Sequence, residues 1–402
     1  MDLTNVMIIT EGNPNTPNMI ETLRVYGLLA ERRLLNMKFF KASKVKLHDL
    51  KWCDTVLFVR STSYIEYGLI KLCKKLGKYC IYTIDDDLLS LDDSYGKDGE
   101  GYWDGRKKAI VKILRQADLF LGVNELLAKK YLEIGKIPKY ALTYTIIEEN
   151  ELFQTRQVGE NREKIKVALY VNDGTTGIFE QFIRPVLPLL CKRYPGRIVL
   201  YLMALKPDLH EFDDKMDIVC VPHMPYMDFK HFMGTETFDI GLAPLDDEGF
   251  SKYKYFNKYV EYTVAGIPAI YSDCKLYRMV VKDGDNGLLC KDSKEAWFDA
   301  LCDLIDHPKK RQGLITKAQN HIYDTFNKDK VLDKLVKDVP QLVSYKSTNS
   351  NLGVIDSLRL FYFKITETLF RVLGWGYIFR QYVKRGKVKP LFERFDKRFI
   401  HH

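Results

Sequence analysis

Short apolar runs alternate with helix-length segments along the first three quarters of the chain, and this alternation restricts the fold more than any other feature. Five such runs precede residue 150, at 5–10, 54–60, 79–84, 117–123 and 140–146. After a polar stretch the pattern restarts with five more, at 165–171, 197–203, 217–221, 239–245 and 268–272. Strands that alternate with helices form parallel sheets. The sequence therefore predicts two successive α/β blocks.

The length of the chain also favours more than one domain, because 402 residues exceed what one hydrophobic core usually supports. We place the N-terminal domain at residues 1–155 and the second domain at 156–345, divided by the polar stretch after residue 150. Residues 295–343 are predicted to be helical, and 344–351 to be a flexible spacer. Residues 346–402 then form a separate tail.

Charge is concentrated in that tail. Of the formal net charge of +9, residues 351–402 contribute +7, from eleven Lys and Arg against four acidic residues. A basic excess confined to one segment indicates a partner of that segment and says little about the fold. Eight cysteines occur singly, without a CxxC pair, and no secretory signal is recognisable. This pattern predicts a reducing cytoplasm and argues against a zinc ribbon.

Two cations and one carboxylate interrupt the aromatic stretch KYKYFNKYVEYTVAGIPAIYSD, residues 252–273. If residues 254–265 are helical, Lys254, Lys258 and Glu261 lie on one face, and Gly266 ends the helix. A helix N-terminus with added lysines suits a phosphate, and a carboxylate one turn further could accept hydrogen bonds from sugar hydroxyls. The alternative is a solvated face with an ion pair worth about 0.3 kcal/mol.

This stretch, together with FDIGLAPL at 238–245, resembles the donor-site motif of retaining glycosyltransferases of family 4, the glycosyl transferases group 1 type. Weaker similarity extends over residues 1–330, through the segments 185–196, 221–229 and 283–290 and through FVRS and YTIDDDLLSL in the N-terminal half. The resemblance implies two Rossmann-like domains facing across a cleft, the GT-B architecture. The C-terminal domain would hold a nucleotide-sugar donor, and the N-terminal domain would receive the acceptor.

The resemblance also implies roles for individual residues. Glu261 would bind the donor ribose, and Lys254 and Lys258 would face the diphosphate as the main catalytic cations. The further donor-binding residues would be Asp173, Gly174, Thr175, Pro225 and Tyr226. Glu261 matches the second Glu of the family's Glu-x7-Glu motif, and this chain departs from the family at Tyr253, where the first Glu is expected. It also lacks the Arg/Lys pair that many members carry after the first strand of this domain.

Three successive aspartates, Asp85, Asp86 and Asp87, end a predicted strand. An Asp-x-Asp arrangement could hold Mg²⁺ or Mn²⁺ at a diphosphate. It could equally be a strand-end turn with capping aspartates, or an acceptor-side group in which Asp86 or Asp87 acts as a catalytic base. Arg60 ends a neighbouring strand, so we assign Arg60 and Asp85 to the acceptor side. Because the resemblance implies that the lysines neutralise the diphosphate in the other domain, we predict no metal and no cofactor other than the substrate, a UDP- or dTDP-linked sugar.

The tail combines aromatic, aliphatic and basic residues without an apolar run long enough to span a membrane. Residues 355–400 are predicted to form a basic amphipathic helix that lies on an anionic membrane surface. The alternative is a helix packed on the body of the protein. No motif for binding nucleic acid accompanies the charge.

Together these features predict a metal-independent, retaining glycosyltransferase on the cytoplasmic face of the cell membrane, acting on a glycan or lipid-linked acceptor in bacterial polysaccharide or cell-wall assembly. Two rivals stay open. One is a non-catalytic, glycosyltransferase-like subunit, which the departure at Tyr253 would suit. The other is a sugar-nucleotide epimerase of the same architecture.

Overall fold

The structure is a computed structural model that describes residues 2–91, 102–153, 163–170, 176–347 and 353–384. The chain divides into two compact units. Unit 1 comprises residues 1–143 and 335–402, and unit 2 comprises residues 144–334. The first boundary, at 143/144, lies twelve residues before the predicted one at 155/156. The second differs in kind, because the described part of the C-terminal segment, up to residue 384, groups with unit 1.

Unit 1 is built on a parallel sheet. Its strands are β1 (Thr4–Thr10), β2 (Leu35–Lys41), β3 (Thr55–Val59), β4 (Tyr79–Thr83), β5 (Leu119–Gly122) and β6 (Tyr140–Leu142), in the order β2-β1-β3-β4-β5-β6. The central strand β3 is buried along its whole length. The order of the strands reverses between β1 and β3, and in open α/β sheets ligands bind at the carboxyl edge of such a switch point.

Unit 2 repeats this design. Its strands are β7 (Ile165–Tyr170), β8 (Ile198–Met203), β9 (Asp217–Val221), β10 (Ile240–Ala243), β11 (Ala269–Ser272) and β12 (Leu288–Cys290), in the order β12-β11-β10-β7-β8-β9. All neighbouring strands are parallel. The switch point lies between β7 and β10. The ten predicted strands are all present. Within the residues that the structure describes, the strands that the sequence analysis missed are β2 and β12, which lie at sheet edges.

Helices fill the segments between the strands. They are α1 (Pro17–Glu31), α2 (Leu47–Trp52), α3 (Tyr64–Lys75), α4 (Tyr102–Leu114), α5 (Glu125–Gly135), α6 (Thr176–Ile178), α7 (Leu187–Arg193), α8 (Tyr226–Thr235), α9 (Asn257–Val264), α10 (Lys294–Asp306), α11 (Pro308–Phe326), α12 (Lys328–Asp338), α13 (Gln341–Ser344) and α14 (Val354–Lys384). The helical prediction for 295–343 is confirmed. Among the described residues, no helix is both long and apolar enough to cross a membrane.

The segment predicted to be a flexible spacer is fixed to unit 1 in its described part, up to residue 347. Tyr345 donates a hydrogen bond from its hydroxyl to the carbonyl of Gly77 at 2.8 Å. The backbone N–H and the hydroxyl of Ser347 both donate to Asp54 Oδ1 at 3.1 Å. The spacer prediction is therefore wrong for residues 344–347, since these polar side chains have specific partners on unit 1.

Candidate active site

Helix α9 is held tightly on the sheet of unit 2 by aromatic side chains. Tyr262 lies against Gly241 of β10, so close that a Cβ on that glycine would lie 3.0 Å from the ring. Its hydroxyl donates to the carbonyl oxygens of Leu242 at 2.8 Å and of Ala168 at 3.3 Å. These acceptors belong to β10 and β7, so Tyr262 fixes α9 over the switch point.

A second set of hydrogen bonds fixes the other side of the helix. The Tyr259 hydroxyl lies 2.7 Å from His321 Nδ1 of α11 and accepts a hydrogen bond from Asn286 Nδ2 at 3.0 Å. The helix ends as predicted, with Gly266 at φ +74° and the N–H of Ile267 donating to the carbonyl of Tyr262. The position and direction of α9 are therefore set by buried contacts along its length.

Lys258 and Glu261 share the face of α9 that these packing residues leave open. They are one turn apart and both half-buried. Neither side chain forms a hydrogen bond or ion pair with another residue in the part of the chain that the structure describes. Packing nevertheless desolvates both charges. Burial, together with Lys254, lowers the pKa of Lys258 to about 8, although Glu261 opposes this. Burial raises the pKa of Glu261 to about 7 despite Lys258 and Lys230.

Lys254 does not lie in the first turn of this helix, and that part of the prediction is wrong. Helix α9 begins at Asn257, and Lys254 follows a 3₁₀ turn, Ser251–Tyr253, with the extended backbone angles φ −63° and ψ 162°. Its Nζ lies 5.1 Å from the ring centre of Phe250. Lys254 is still close enough to lower the pKa of Lys258. The structure thus brings the two lysines together from a turn and a helix.

Glu261 lies toward the carboxyl end of β7. Burial raises the pKa of Tyr170, the last residue of that strand, and the charge of Glu261 adds to this shift. The Tyr170 ring packs against Phe229 of α8 at 4.7 Å between centres. Helix α8 begins at Tyr226 and is preceded by Pro225, two of the predicted donor-binding residues. The loop after β7, with Asp173, Gly174 and Thr175, lies outside the described residues.

Arg60 and two of the three aspartates come together at the carboxyl edge of unit 1. Arg60 Nη1 lies 2.7 Å from Asp85 Oδ1 and 3.3 Å from Asp86 Oδ2. Burial raises the pKa of Asp85 to about 6, and Arg60 opposes that shift. Arg60 also has φ +48°, an uncommon value for a non-glycine residue that costs of order 1 kcal/mol. Such strain is typical of functional sites.

Asp87 is separated from this pair. Its side chain is fully buried, and Oδ2 accepts a hydrogen bond from Lys130 Nζ of α5 at 2.5 Å. This placement suits the strand-end structural role that the sequence analysis kept as an alternative. Within the described residues, no group of three or more His, Cys, Asp or Glu side chains is arranged to hold a metal ion.

Glu66 is a buried carboxylate near the switch point of unit 1 that the sequence analysis did not single out. It lies at the start of α3, and its carboxylate accepts hydrogen bonds from the N–H of Glu11 (3.0 Å), Thr62 (2.9 Å) and Ser63 (2.9 Å) and from the Ser61 hydroxyl (2.8 Å). It thereby joins the loops after β1 and β3 at the switch point of unit 1. The Ser-x-x-Glu spacing of a helix capping box, SYIE, could have identified it.

Comparison with known proteins supports the resemblance. Residues 258–321 match the family model described as Glycosyl transferases group 1. The matched segment runs from Lys258 in α9 to His321 in α11, so it contains Glu261 and both ends of the Tyr259–His321 contact. No curated protein sequence matches the chain.

Solved structures match most of the chain at low sequence identity. The Anabaena protein HepE, in complex with UDP and glucose, is 10% identical with a TM-score of 0.55, over 84% of this chain and 100% of that one. Sucrose-phosphate synthase from Thermosynechococcus elongatus is 13% identical with a TM-score of 0.59, over 84% and 99%. The lipopolysaccharide outer core galactosyltransferase WaaB, in its apo form, is 16% identical with a TM-score of 0.56, over 84% and 99%. The likeness confirms the predicted GT-B fold.

Proposed function

We propose that this chain, which carries the glycosyl transferases group 1 segment at 258–321, is a retaining glycosyltransferase. It would transfer a sugar from a nucleotide-sugar donor to a lipid-linked glycan acceptor in bacterial polysaccharide or cell-wall assembly. The observation that carries the proposal is the grouping of Lys254, Lys258 and Glu261 at the switch point between β7 and β10.

The charge of this group matches the chemistry of the reaction. Breaking the bond between a sugar and a diphosphate leaves negative charge on the diphosphate while the sugar becomes oxocarbenium-like. Cations already in place at the leaving group are then the largest catalytic contribution. Lys254 and Lys258 supply two, and Lys258 gives up no protein partner to do so. The acceptor hydroxyl attacks directly from the leaving-group face: its oxygen forms the new bond to the sugar, the bond to the diphosphate breaks, and the hydroxyl proton passes to a base, for which Asp86 is the candidate. No enzyme nucleophile is then needed, and the lysines neutralise the diphosphate in place of a divalent metal ion.

Glu261 would bind the ribose of the donor. A carboxylate can accept hydrogen bonds from two adjacent hydroxyl groups, which a ribose offers and a deoxyribose does not. This favours a UDP-linked sugar over a dTDP-linked one, and HepE, which has the same fold, was solved with UDP and glucose. We place the nucleobase of the donor near Pro225 and Tyr226, and its diphosphate near residues 173–175, Lys254 and Lys258.

The nucleotide assignment is tested by thermal shift of the purified protein with UDP, dTDP, GDP and their sugar conjugates. We expect UDP compounds to raise the melting temperature by about 5 °C at about 100 times Kd. Hydrolysis of the responding donor, and transfer in the presence of EDTA, are measured next. A protein that responds to no nucleotide would be the non-catalytic subunit, and turnover to an epimeric sugar nucleotide without acceptor would identify an epimerase.

On the acceptor side we assign binding of sugar hydroxyls to Arg60 and Asp85, with Asp86 as the candidate base. Asp87 keeps a supporting role through Lys130. Arg60→Gln is expected to raise the KM for the acceptor about tenfold, because the charged hydrogen bonds of the guanidinium are lost. The thermal shift with UDP should stay unchanged, since Arg60 belongs to the other unit. Arg60→Lys, which keeps the charge, serves as the matched variant. An unaltered acceptor KM in both variants would remove the assignment.

We further propose that the enzyme works as a peripheral protein on the inner face of the cell membrane, where a lipid-linked acceptor would be presented. The basic tail supports this location. The described part of the tail, α14, has a surface suited to binding at a membrane.

A further inference from the structure

Helix α14 has one face packed on unit 1 and one face exposed. On the packed face Leu360 is buried, and Phe363 covers Gly68 of α3 so closely that a Cβ there would lie 2.3 Å from its ring. On the other face eight large apolar side chains are 42% to 78% exposed, namely Val354, Ile355, Leu358, Phe361, Tyr362, Ile365, Leu369 and Val372. Their spacing follows the helical repeat, so they form one continuous stripe.

Ion pairs fix which way this stripe faces. Asp356 pairs with Lys75 at 2.7 Å, and Glu367 pairs with Arg106 at 2.8 Å; both carboxylates are 1% exposed. Phe363 also packs edge-on against Tyr67, at 5.9 Å between ring centres. Because an unpaired buried carboxylate is costly, rotation of the helix is disfavoured. The stripe is therefore held outward by contacts on the opposite face.

Positive charges border the stripe. Both acidic residues of α14 point inward, whereas Arg359 is exposed. Lys364 Nζ lies 3.3 Å from the carbonyl of Val45, whose neighbours Lys44 and Lys46 are exposed. Further lysines surround Tyr67, with the Nζ atoms of Lys71 and Lys112 each 5.6 Å from its ring centre.

We infer that the exposed stripe of α14 is the surface by which unit 1 docks on an anionic lipid bilayer, an inference that rests on the proposed membrane-linked function. Apolar side chains on one face with lysines and arginines beside them are the features of a helix lying in a membrane interface. A second copy of the chain fits less well, because pairing two stripes would bring the same cations together, while both acidic residues of α14, Asp356 and Glu367, face inward.

The docking helix also contacts the acceptor-side loop. Glu367 Oε2 accepts a hydrogen bond from the N–H of Tyr64 at 3.0 Å, and its partner Arg106 donates to the carbonyl of Thr62 at 3.3 Å. Thr62 is two residues after Arg60. Helix α14 would thus lie between the bilayer and the loop that follows Arg60, separating them by about 10–12 Å, one helix diameter, a distance that suits an acceptor anchored in lipid.

The test uses the full chain and co-sedimentation with vesicles of phosphatidylcholine alone or mixed with phosphatidylglycerol. Phe361→Ser, Ile365→Ser and Leu369→Ser are combined in one variant; all three side chains are exposed, so folding should be unaffected. We expect the wild-type protein to bind the mixed vesicles in a salt-sensitive way and the triple variant to bind on the order of tenfold more weakly or worse. Met279→Ser with Tyr323→Ser, two exposed apolar residues of unit 2, is the matched control and should bind as wild type.

Equal vesicle binding by the triple variant and the wild type would overturn the inference. The inference would also be overturned if neither protein bound vesicles and if sedimentation without lipid showed a wild-type dimer that the triple variant does not form. Thermal shift with UDP separates this result from the proposed function. A triple variant that keeps its UDP response but leaves the vesicles supports the docking surface. A wild-type protein that binds vesicles through the stripe but no nucleotide would refute the transferase proposal alone.

Discussion

Lys258→Met is expected to slow sugar transfer by about 100- to 1,000-fold and, at the same time, to raise the melting temperature of the free protein by about 2 °C or more. The rate falls because the leaving diphosphate loses a positioned cation. The stability rises because burying the charged ammonium group costs free energy in the folded protein, and the substitution removes that cost. Burial and the neighbouring charge of Lys254 lower the pKa of Lys258 to about 8, and the opposing charge of Glu261 offsets this only in part.

The sign of the stability effect follows from that lowered pKa. A lysine whose pKa is lower in the folded than in the unfolded protein costs no stability at high pH, where it is neutral in both states. The cost builds up as the pH falls below 10.5, because the unfolded chain binds the proton first, and it is fully present below about 8, where Lys258 is charged in the folded state as well. At pH 7 a methionine of similar length removes this cost. The gain in melting temperature should therefore shrink when the measurement is repeated near pH 10.

Lys206→Met is the matched control, because Lys206 is an exposed lysine in the loop after β8 of the same unit. It should leave transfer rate and melting temperature unchanged. The double variant with Lys254→Ala and Lys258→Ala should transfer sugar still more slowly. Its melting temperature in the absence of donor should fall little. A purely structural lysine would give the opposite pattern, in which Lys258→Met lowers the melting temperature and leaves transfer at the wild-type rate. That pattern would refute the diphosphate assignment.

The sequence was sufficient to predict the two sheets, because buried parallel strands read as short apolar runs. The two missed strands show where this signal fails. Strand β2 lies at an edge and alternates polar with apolar residues, with only Leu35 fully buried. Strand β12 also lies at an edge and has only three residues. Edge strands are covered on fewer sides, so their composition carries less information about burial.

The start of α9 could not be predicted from side-chain spacing. Lys254, Lys258 and Glu261 have helical spacing, yet the turn at Ser251–Tyr253 and the extended backbone of Lys254 place the first lysine before the helix. The spacing of the charges therefore predicted one helix face, whereas the structure supplies these side chains from a turn and a helix. Helix boundaries are set by capping contacts, and here Phe256 precedes the helix without a side-chain cap.

The tail illustrates a different limit. Its amphipathic pattern was visible in the sequence, but the pattern alone did not show which face packs on the protein. The deciding contacts join residues about 300 positions apart, such as Glu367 with Tyr64, and no local rule predicts such a pair. The sequence analysis kept two interpretations of the tail: a helix that lies on a membrane surface and a helix that packs on the body of the protein. They are compatible, because one face of α14 packs on unit 1 and the other is exposed.

Glu261→Gln is expected to abolish the preference of the donor site for ribose over deoxyribose. We expect the wild-type protein to bind UDP at least about tenfold more tightly than dUDP at pH 8, because hydrogen bonds to a charged group are worth about 1.5–3 kcal/mol. Burial raises the pKa of Glu261 to about 7, so the carboxylate forms fully only above that pH. The preference should therefore weaken as the pH falls through 7, and in the glutamine variant it should be small at every pH.

Titration calorimetry with UDP and dUDP at pH 6 and pH 8 measures this preference, with Glu295→Gln, an exposed glutamate of the same unit, as the control. The ratio of the UDP affinity to the dUDP affinity reports the contribution of Glu261 separately from that of the lysines. Above pH 8 Lys258 loses its proton, so both nucleotides should bind more weakly while their ratio persists. A ratio near one in the wild-type protein, or a ratio that Glu261→Gln leaves intact, would show that the carboxylate does not bind the sugar of the nucleotide. The lysines could then still hold a diphosphate, because their contribution appears in both affinities and cancels from the ratio.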